Sequence, residues 1–473
     1  MIGARLFALV PLLVTLGCAG HLPRLVKLPA KEPGTIFFEG VRVFDGEDLL
    51  PGPQDVLVRK GKIAFVGPAG TVPPPEGATR IPGAGRTLLP GLWDSHLHLG
   101  GAQGELPWDA RLPDLRRQLE GLVYSGVTSA VDAGRSLDVQ KLHRRIRRGK
   151  VVGPHLISFS RVLTKKEGHP IPLIRTFLPW PVSSIGIKRS VREIDSVEEA
   201  GPAVAREITS SQTPWVKIVY NSIPDDAAHL SFEELEALIL AAHAGGRRVG
   251  VHVGTPREAK EAAAAGADLL MHTPWTAELT ETVLLALQEG GAPVITTSQI
   301  QGSVDRAVRG ELDPFELEQA VADPERLARL GPKPRGYREE VFSPEYLEKL
   351  AVWDRRLGEN LLRLFEAGIP QLVGTDASVP GLYQGPALHR ELEALVALGL
   401  PPLEVLRRAT SRPAAFFEPQ GKRGRVERGH LADLLLVEGN PLENITDTRR
   451  IVGVWVGGRR AERLTPAHVA EAR

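Results

Sequence analysis

The chain has 473 residues, 42% of them hydrophobic and 24% charged, with a formal net charge of +1. That is enough apolar material for one large domain with an accessory, or for two or three domains, and it excludes extended disorder. Basic residues are spread along the sequence, which excludes the concentrated positive surface of a nucleic-acid binder and leaves a small molecule or short peptide as the expected substrate. The single cysteine, Cys18, excludes an intrachain disulfide and a thiolate zinc site, so metal ligands would have to come from His, Asp, Glu or modified Lys.

Arg5 precedes an apolar stretch over 6–16 that is too short to span a bilayer, and Gly17-Cys18-Ala19 follows as a small-residue cleavage site. The arrangement resembles a bacterial lipobox, with Thr15 where Leu is usual three residues before the Cys. It implies a signal over 1–18, a lipid anchor on Cys18 and a place in the cell envelope, facing the periplasm or the exterior. A plain secretory signal and a soluble secreted protein are the alternative.

After a polar, Pro-containing tether over 19–34, the segment 35–90 reads as short strands broken by Gly and Pro, at 35–38, 41–44, 55–59 and 62–66. The same texture returns over 425–465, where strands at 432–437 and 451–456 flank a turn at Gly439-Asn440-Pro441, and a tail over 466–473 ends the chain. Two β-rich ends around a different middle predict one small β-sandwich built from both termini.

The middle, 91–424, alternates short apolar runs with Ala-, Leu-, Glu- and Arg-rich stretches of helical period, such as 115–124, 197–210, 232–244 and 256–265. Eight runs are present, at 92–97, 127–132, 155–160, 215–219, 248–253, 268–272, 293–297 and 371–376. Eight β/α repeats predict a closed (β/α)8 barrel of the TIM type, in an α/β protein. The charged stretch 304–350 is long for a connection and reads as a helical insertion over the barrel mouth.

Barrel enzymes carry their chemistry at the C-terminal ends of the strands, so those ends decide the reading. Run one ends in His96-Leu97-His98, whose imidazoles share one strand face because residues two apart point the same way. Lys217 stands inside run four, His252 in run five, His272 at the end of run six, and Asp376 after Gly374-Thr375 in run eight. Singly, each has an ordinary explanation as a bonded core histidine or a helix-capping Asp. Together they are polar groups gathered at one end of five strands, costly to bury without a shared partner such as a metal. Lys217, flanked by Trp215, Val216, Ile218 and Val219, either places its amine in a barrel interior that penalises charge or snorkels to the rim.

These residues resemble the amidohydrolase superfamily, and within it the imidazolonepropionase-like group that includes metal-dependent prolidases and carboxy-terminal dipeptidases. The resemblance rests on Pro90-Gly91-Leu92-Trp93-Asp94-Ser95-His96-Leu97-His98, Lys217, His252, His272, Gly374-Thr375-Asp376 and Gly429-His430-Leu431-Ala432-Asp433-Leu434. It implies two divalent metals, zinc by default. His96 and His98 would hold one and His252 and His272 the other, with N6-carboxylated Lys217 as the bridge and Asp376 beside the first metal as the catalytic proton carrier. His430 stands where relatives usually carry Lys and is assigned no catalytic role.

For substrate, Tyr220 past the end of run four is a candidate donor to the carbonyl oxygen of the intermediate, and His169 in Glu167-Gly168-His169-Pro170 resembles an element that relatives use near a substrate carboxylate. His389 and Glu391 read as helix packing, and Phe177 and Trp180 as lining of the mouth or a brace for their loop. The expected activity is hydrolysis of an amide bond in short peptides or N-acyl amino acids with a free carboxylate. Ring opening of a cyclic amide, imide or lactone is the alternative within enzymes, and a surface binding protein that kept the fold is the alternative outside them. Oligomeric state is left open by the sequence.

Overall fold

A computed structural model describes residues 22–28, 34–101, 104, 114–134, 139–177, 180–221, 228–330 and 343–466. Cys18 and the leader therefore lie outside the described residues, as does part of the insertion, 331–342. Among the described residues no helix is long and apolar enough to cross a membrane.

Eight parallel strands succeed one another in chain order: Leu92–Leu97, Val127–Asp132, His155–Lys165, Trp215–Val219, Arg248–His252, Leu269–Leu270, Val294–Ile295 and Gln371–Leu372. The last closes on the first. Ser95 N–H donates to Val373 O at 2.9 Å, Thr375 N–H donates to His96 O at 3.0 Å, and Leu97 bridges Ala377 in parallel. Strands covered on both faces carry near-continuous apolar sequence, which is why the runs are legible. In the fourth strand Trp215 joins an interior cluster with Trp93, Val131, Phe159, Met271 and Ile295. Val216, Ile218 and Tyr220 join the outer layer beneath the helices Phe232–Ala244 and Pro256–Ala264. The period-two alternation thus turns Lys217 inward and Tyr220 outward.

The two helices start where their sequences cap them. Ser231 and Glu234 form one capping box, and Thr255 and Glu258 form another with Pro256 in the first turn.

Both chain ends build a second, nine-stranded sheet. Leu434–Glu438 pairs antiparallel with Arg86–Pro90, the strand that leads directly into the barrel, and Ile451–Val456 and Arg459–Arg463 extend it. The other half is Ile36–Val43, Gln54–Arg59 and Lys62–Pro68. The halves share a core in which Phe38 meets Trp455 edge-on at 4.9 Å, with Val56, Leu434 and Leu436 around them. This is the sandwich expected from the termini.

Three details differ from the sequence reading. Within the tether over 19–34, Val26–Lys27 pairs with Arg463 and Glu462, and Leu25 is fully buried with its N–H on Glu120 Oε2 at 2.7 Å; two apolar residues suffice to dock it. The third run continues to Lys165, because Val191–Ile194 pairs alongside its extension. The insertion's helix Glu316–Val321 also packs on the helices after strands one and eight, a support that its own sequence does not indicate. Arg117 donates to Ala320 O and Val321 O at 2.6 and 2.9 Å, and Arg390 pairs with Glu318 at 2.5 Å.

Candidate metal centre

The ends of strands one and eight are locked by Asp94. Its carboxylate accepts from Thr375 Oγ1 at 2.7 Å, Thr375 N at 3.1 Å and His96 N at 3.2 Å. Gly374 permits the approach: a Cβ there would lie 2.6 Å from Ile295 Cγ2 and 2.8 Å from His96 N. Asp376 then turns with φ +55°, a left-handed conformation that Asp tolerates, and its N–H donates to His96 O at 2.7 Å.

That turn sets Asp376 Oδ1 3.3 Å from His96 Nε2 and 3.1 Å from His98 Nε2. His96 Nδ1 lies 3.0 Å from Met271 O, so its Nε2 faces the cluster. His272 Nδ1 is 3.0 Å from Thr297 Oγ1, and its ring centre is 4.7 Å from that of His96 and 4.3 Å from that of His252. His252 Nε2 meets Asn221 Nδ2 at 2.9 Å, and His169 stacks on the His252 ring at 5.2 Å. Lys217 is 2% exposed and directs Nζ to Met271 Sδ at 2.7 Å.

Burial, with neighbouring cations adding to it, drives the imidazoles toward neutrality. His169 is pushed down to about 4, and His252 and His272 well below the ordinary value. Burial also brings His96 down to about 4, against the pull of Asp376. Burial lowers the Lys217 ammonium to about 7, with Asp376 opposing. Burial alone would raise the Asp376 carboxyl, but His96 and His98 outweigh it and hold it well below the usual carboxylate range. Neutral imidazoles beside an ionised carboxylate are in the protonation state that a divalent cation requires.

The residues fit such an ion on a second ground. His96 Nε2 and Asp376 Oδ1 are both closed to solvent and neither makes a well-aligned hydrogen bond. Buried polar atoms without partners are rare and costly, and a shared cation would satisfy both. Among the described residues, His96, His272 and Asp376 bring ligand atoms within 4.8 Å of one another.

All six residues implied as metal ligands, His96, His98, Lys217, His252, His272 and Asp376, thus lie at one end of the barrel. The tightest grouping joins His96 with His272, whereas the resemblance assigned those two to different metals. His169 joins them. Tyr220 does not: its hydroxyl donates to Glu261 Oε2 at 2.5 Å on the helix outside the barrel, because it stands an odd number of residues from Lys217. Asn221, on the inward side of the same alternation, reaches His252 instead, and the alternation would have singled it out. Asp94 and Thr297 carry no such signal, since barrel closure and neighbouring strands supply their partners. His389 and Glu391 do pack: His389 bonds Thr448 Oγ1 and Ser125 O, and Glu391 accepts from Thr296 and Ser298. His430 lies in the small sheet, its carbonyl accepting from Ile63 N–H at 2.9 Å.

A closed parallel barrel with its titratable groups gathered at the strand ends has the layout of a barrel enzyme. A profile of the amidohydrolase family matches residues 87–461, and the chain belongs to that family, one of hydrolases. It is 27% identical to ochratoxinase of Aspergillus niger over 467 residues, covering 90% of this chain and 86% of that one. In three dimensions it is similar to a Xaa-Pro dipeptidase with methionine bound in its active site, at a TM-score of 0.71 and 21% identity over 90% of this chain and 99% of that one. It is also similar to a prolidase complexed with N-methylphosphonate-L-proline, at 0.70 and 24% over 91% and 100% of the two chains. These structural likenesses show the shared fold.

Proposed function

We propose that this chain hydrolyses an amide C–N bond in short peptides or N-acyl amino acids that carry a free carboxylate, and that it does so with two divalent metals. The carrying observation is the buried pair His96 Nε2 and Asp376 Oδ1, 3.3 Å apart without an aligned hydrogen bond, beside four more of the expected ligands. The relatives named for Xaa-Pro dipeptides and for prolidase activity support a peptide-like substrate.

The metals, zinc in this proposal, would be held by His96, His98, His252, His272, Asp376 and the carbamate of Lys217. When bound, such a pair supplies a water of lowered pKa and polarises the scissile carbonyl. Lys217 is suited to carboxylation because burial leaves much of its amine unprotonated near pH 7. Its nitrogen adds carbon dioxide, one N–C bond forms, one proton leaves, and the product is an anion that no longer opposes cations. Asp376, held ionised, takes a proton from the attacking water and returns it to the departing nitrogen, which an amide needs because its amine leaves poorly unprotonated. His169, stacked on His252, is placed to meet the substrate. In this proposal the chain is anchored in the envelope through Cys18, where it would meet imported or released peptides.

The test is a panel of Xaa-Pro and other dipeptides, N-acyl amino acids and cyclic amides, assayed on the metal-loaded protein and on Asp376→Asn. Turnover of the open-chain amides, reduced by roughly 10²- to 10⁴-fold in the variant, is expected for the loss of a proton carrier. Turnover of the cyclic amides alone would replace the substrate class.

A further inference from the structure

Globular helices bury an apolar stripe, but the second of the two helices that come after His169 does not. In Val182–Ser190 only Ser183 is buried. Leu173 on the preceding helix, Ile171–Phe177, is 45% exposed, Trp180 between them 82%, Val182 45% and Ile185 55%. Four of the ten exposed large hydrophobic residues among the described ones therefore fall within thirteen positions, while the others are scattered.

The charge of the stretch is one-sided. From 170 to 192 there are four basic residues, Arg175, Lys188, Arg189 and Arg192, and no acidic one. Arg175 pairs with Glu167 and Arg192 with Glu207, both outside the stretch. On the second helix Val182 and Ile185 are three apart, and exposed Lys188 and Arg189 lie three and four residues beyond Ile185, so apolar and cationic side chains share one stripe.

We propose that this helical hairpin docks on a lipid surface with anionic headgroups. Trp180, Val182 and Ile185 would enter the boundary between headgroups and acyl chains, where an indole is favoured, and Lys188 and Arg189 would lie against lipid phosphates. A second copy of the chain is the poorer occupant, since self-pairing brings the same cations together without carboxylates from the stretch to offset them. The hairpin begins two residues after His169, whose ring stacks on His252, so docking holds the barrel's histidines beside the lipid.

Flotation of the full chain with phosphatidylcholine vesicles, with and without phosphatidylglycerol, tests this beside two double variants, Trp180→Ser with Ile185→Ser and Lys188→Gln with Arg189→Gln. The N-terminal segment is common to all, so differences report the hairpin. Each double variant is expected to bind anionic vesicles about tenfold more weakly or worse, with melting temperature unchanged. The emission lost in Trp180→Phe should be the part that shifts to the blue on anionic vesicles. Equal flotation of parent and both variants, with no blue shift of the Trp180 emission on anionic vesicles, would overturn the proposal. So would a lipid-free dimer of the parent that the variants convert to monomer, which would make the patch a protein interface.

Discussion

Asp94 is fully buried, and burial raises its carboxyl to about 7 although Thr375 and His96 donate to it. Its work is positional, tying the strand that carries His96 and His98 to the loop that carries Asp376. Asp94→Ala would strand the N–H of His96 and take from the Thr375 hydroxyl its acceptor at 2.7 Å, at about 1–3 kcal/mol each. Loss of such an orienting group should also weaken metal affinity about 10- to 100-fold, read by titration with zinc. Tyr220→Phe distinguishes the outward tyrosine from a catalytic one. Removing its bond to Glu261 should cost about 1 kcal/mol in urea unfolding and leave kcat unchanged; a collapse of kcat would place the hydroxyl at the substrate. The histidines, Lys217 and Asp376 were legible because charged or metal-ligating residues are conspicuous in apolar runs. Asp94 and Thr297 were not, because a carboxylate or hydroxyl reads the same whether it braces a neighbouring strand or caps a turn.

At the scale of elements, the eighth strand pairs with the seventh through Gln371 and Leu372, and its functional end is the irregular segment Val373-Gly374-Thr375-Asp376 beyond them, which closes on the first strand. Gly374→Ala would drive a methyl group into Ile295 and the His96 backbone. Overpacking of this kind costs about 1–3 kcal/mol, and because it displaces the segment carrying Asp376 it should lower metal content along with the melting temperature. Gly374→Ala with full metal content would show that the close approach is incidental. The runs and helices were readable where one face or both is continuously apolar, as in Trp215–Val219 and Phe232–Ala244. The docking of Val26–Lys27 and the extension of the third strand were not, since both depend on strands distant in sequence that arrive beside them.

For the whole molecule, acid acts through the buried histidines. His96, His143, His169 and His389 are pushed down to about 4 by burial, and His252 and His272 lower than usual, so between about pH 6.5 and 4 the unfolded chain binds protons that the metal-free fold refuses. Asp94 and Glu391, raised to about 7 by burial, oppose this, since the fold then holds protons the unfolded chain has released. Burial also raises the carboxyls of Glu318, Asp354 and Glu393 and lowers His430. Seven lowered histidines thus stand against five raised carboxyls, and the urea midpoint of the metal-free protein is predicted to fall as pH drops through this window. A midpoint that stays flat or rises would mean the histidines are not enclosed as described.

The central claim is a bridged pair of metals built around Lys217. Metal analysis of the purified protein beside Lys217→Ala, with dipeptide hydrolysis measured on both, tests it most directly. About two metals per chain in the parent, fewer in the variant and hydrolysis only in the parent is the predicted result. Equal metal content and equal hydrolysis in the two proteins would contradict it, as would a parent that retains no metal and turns over none of the peptides.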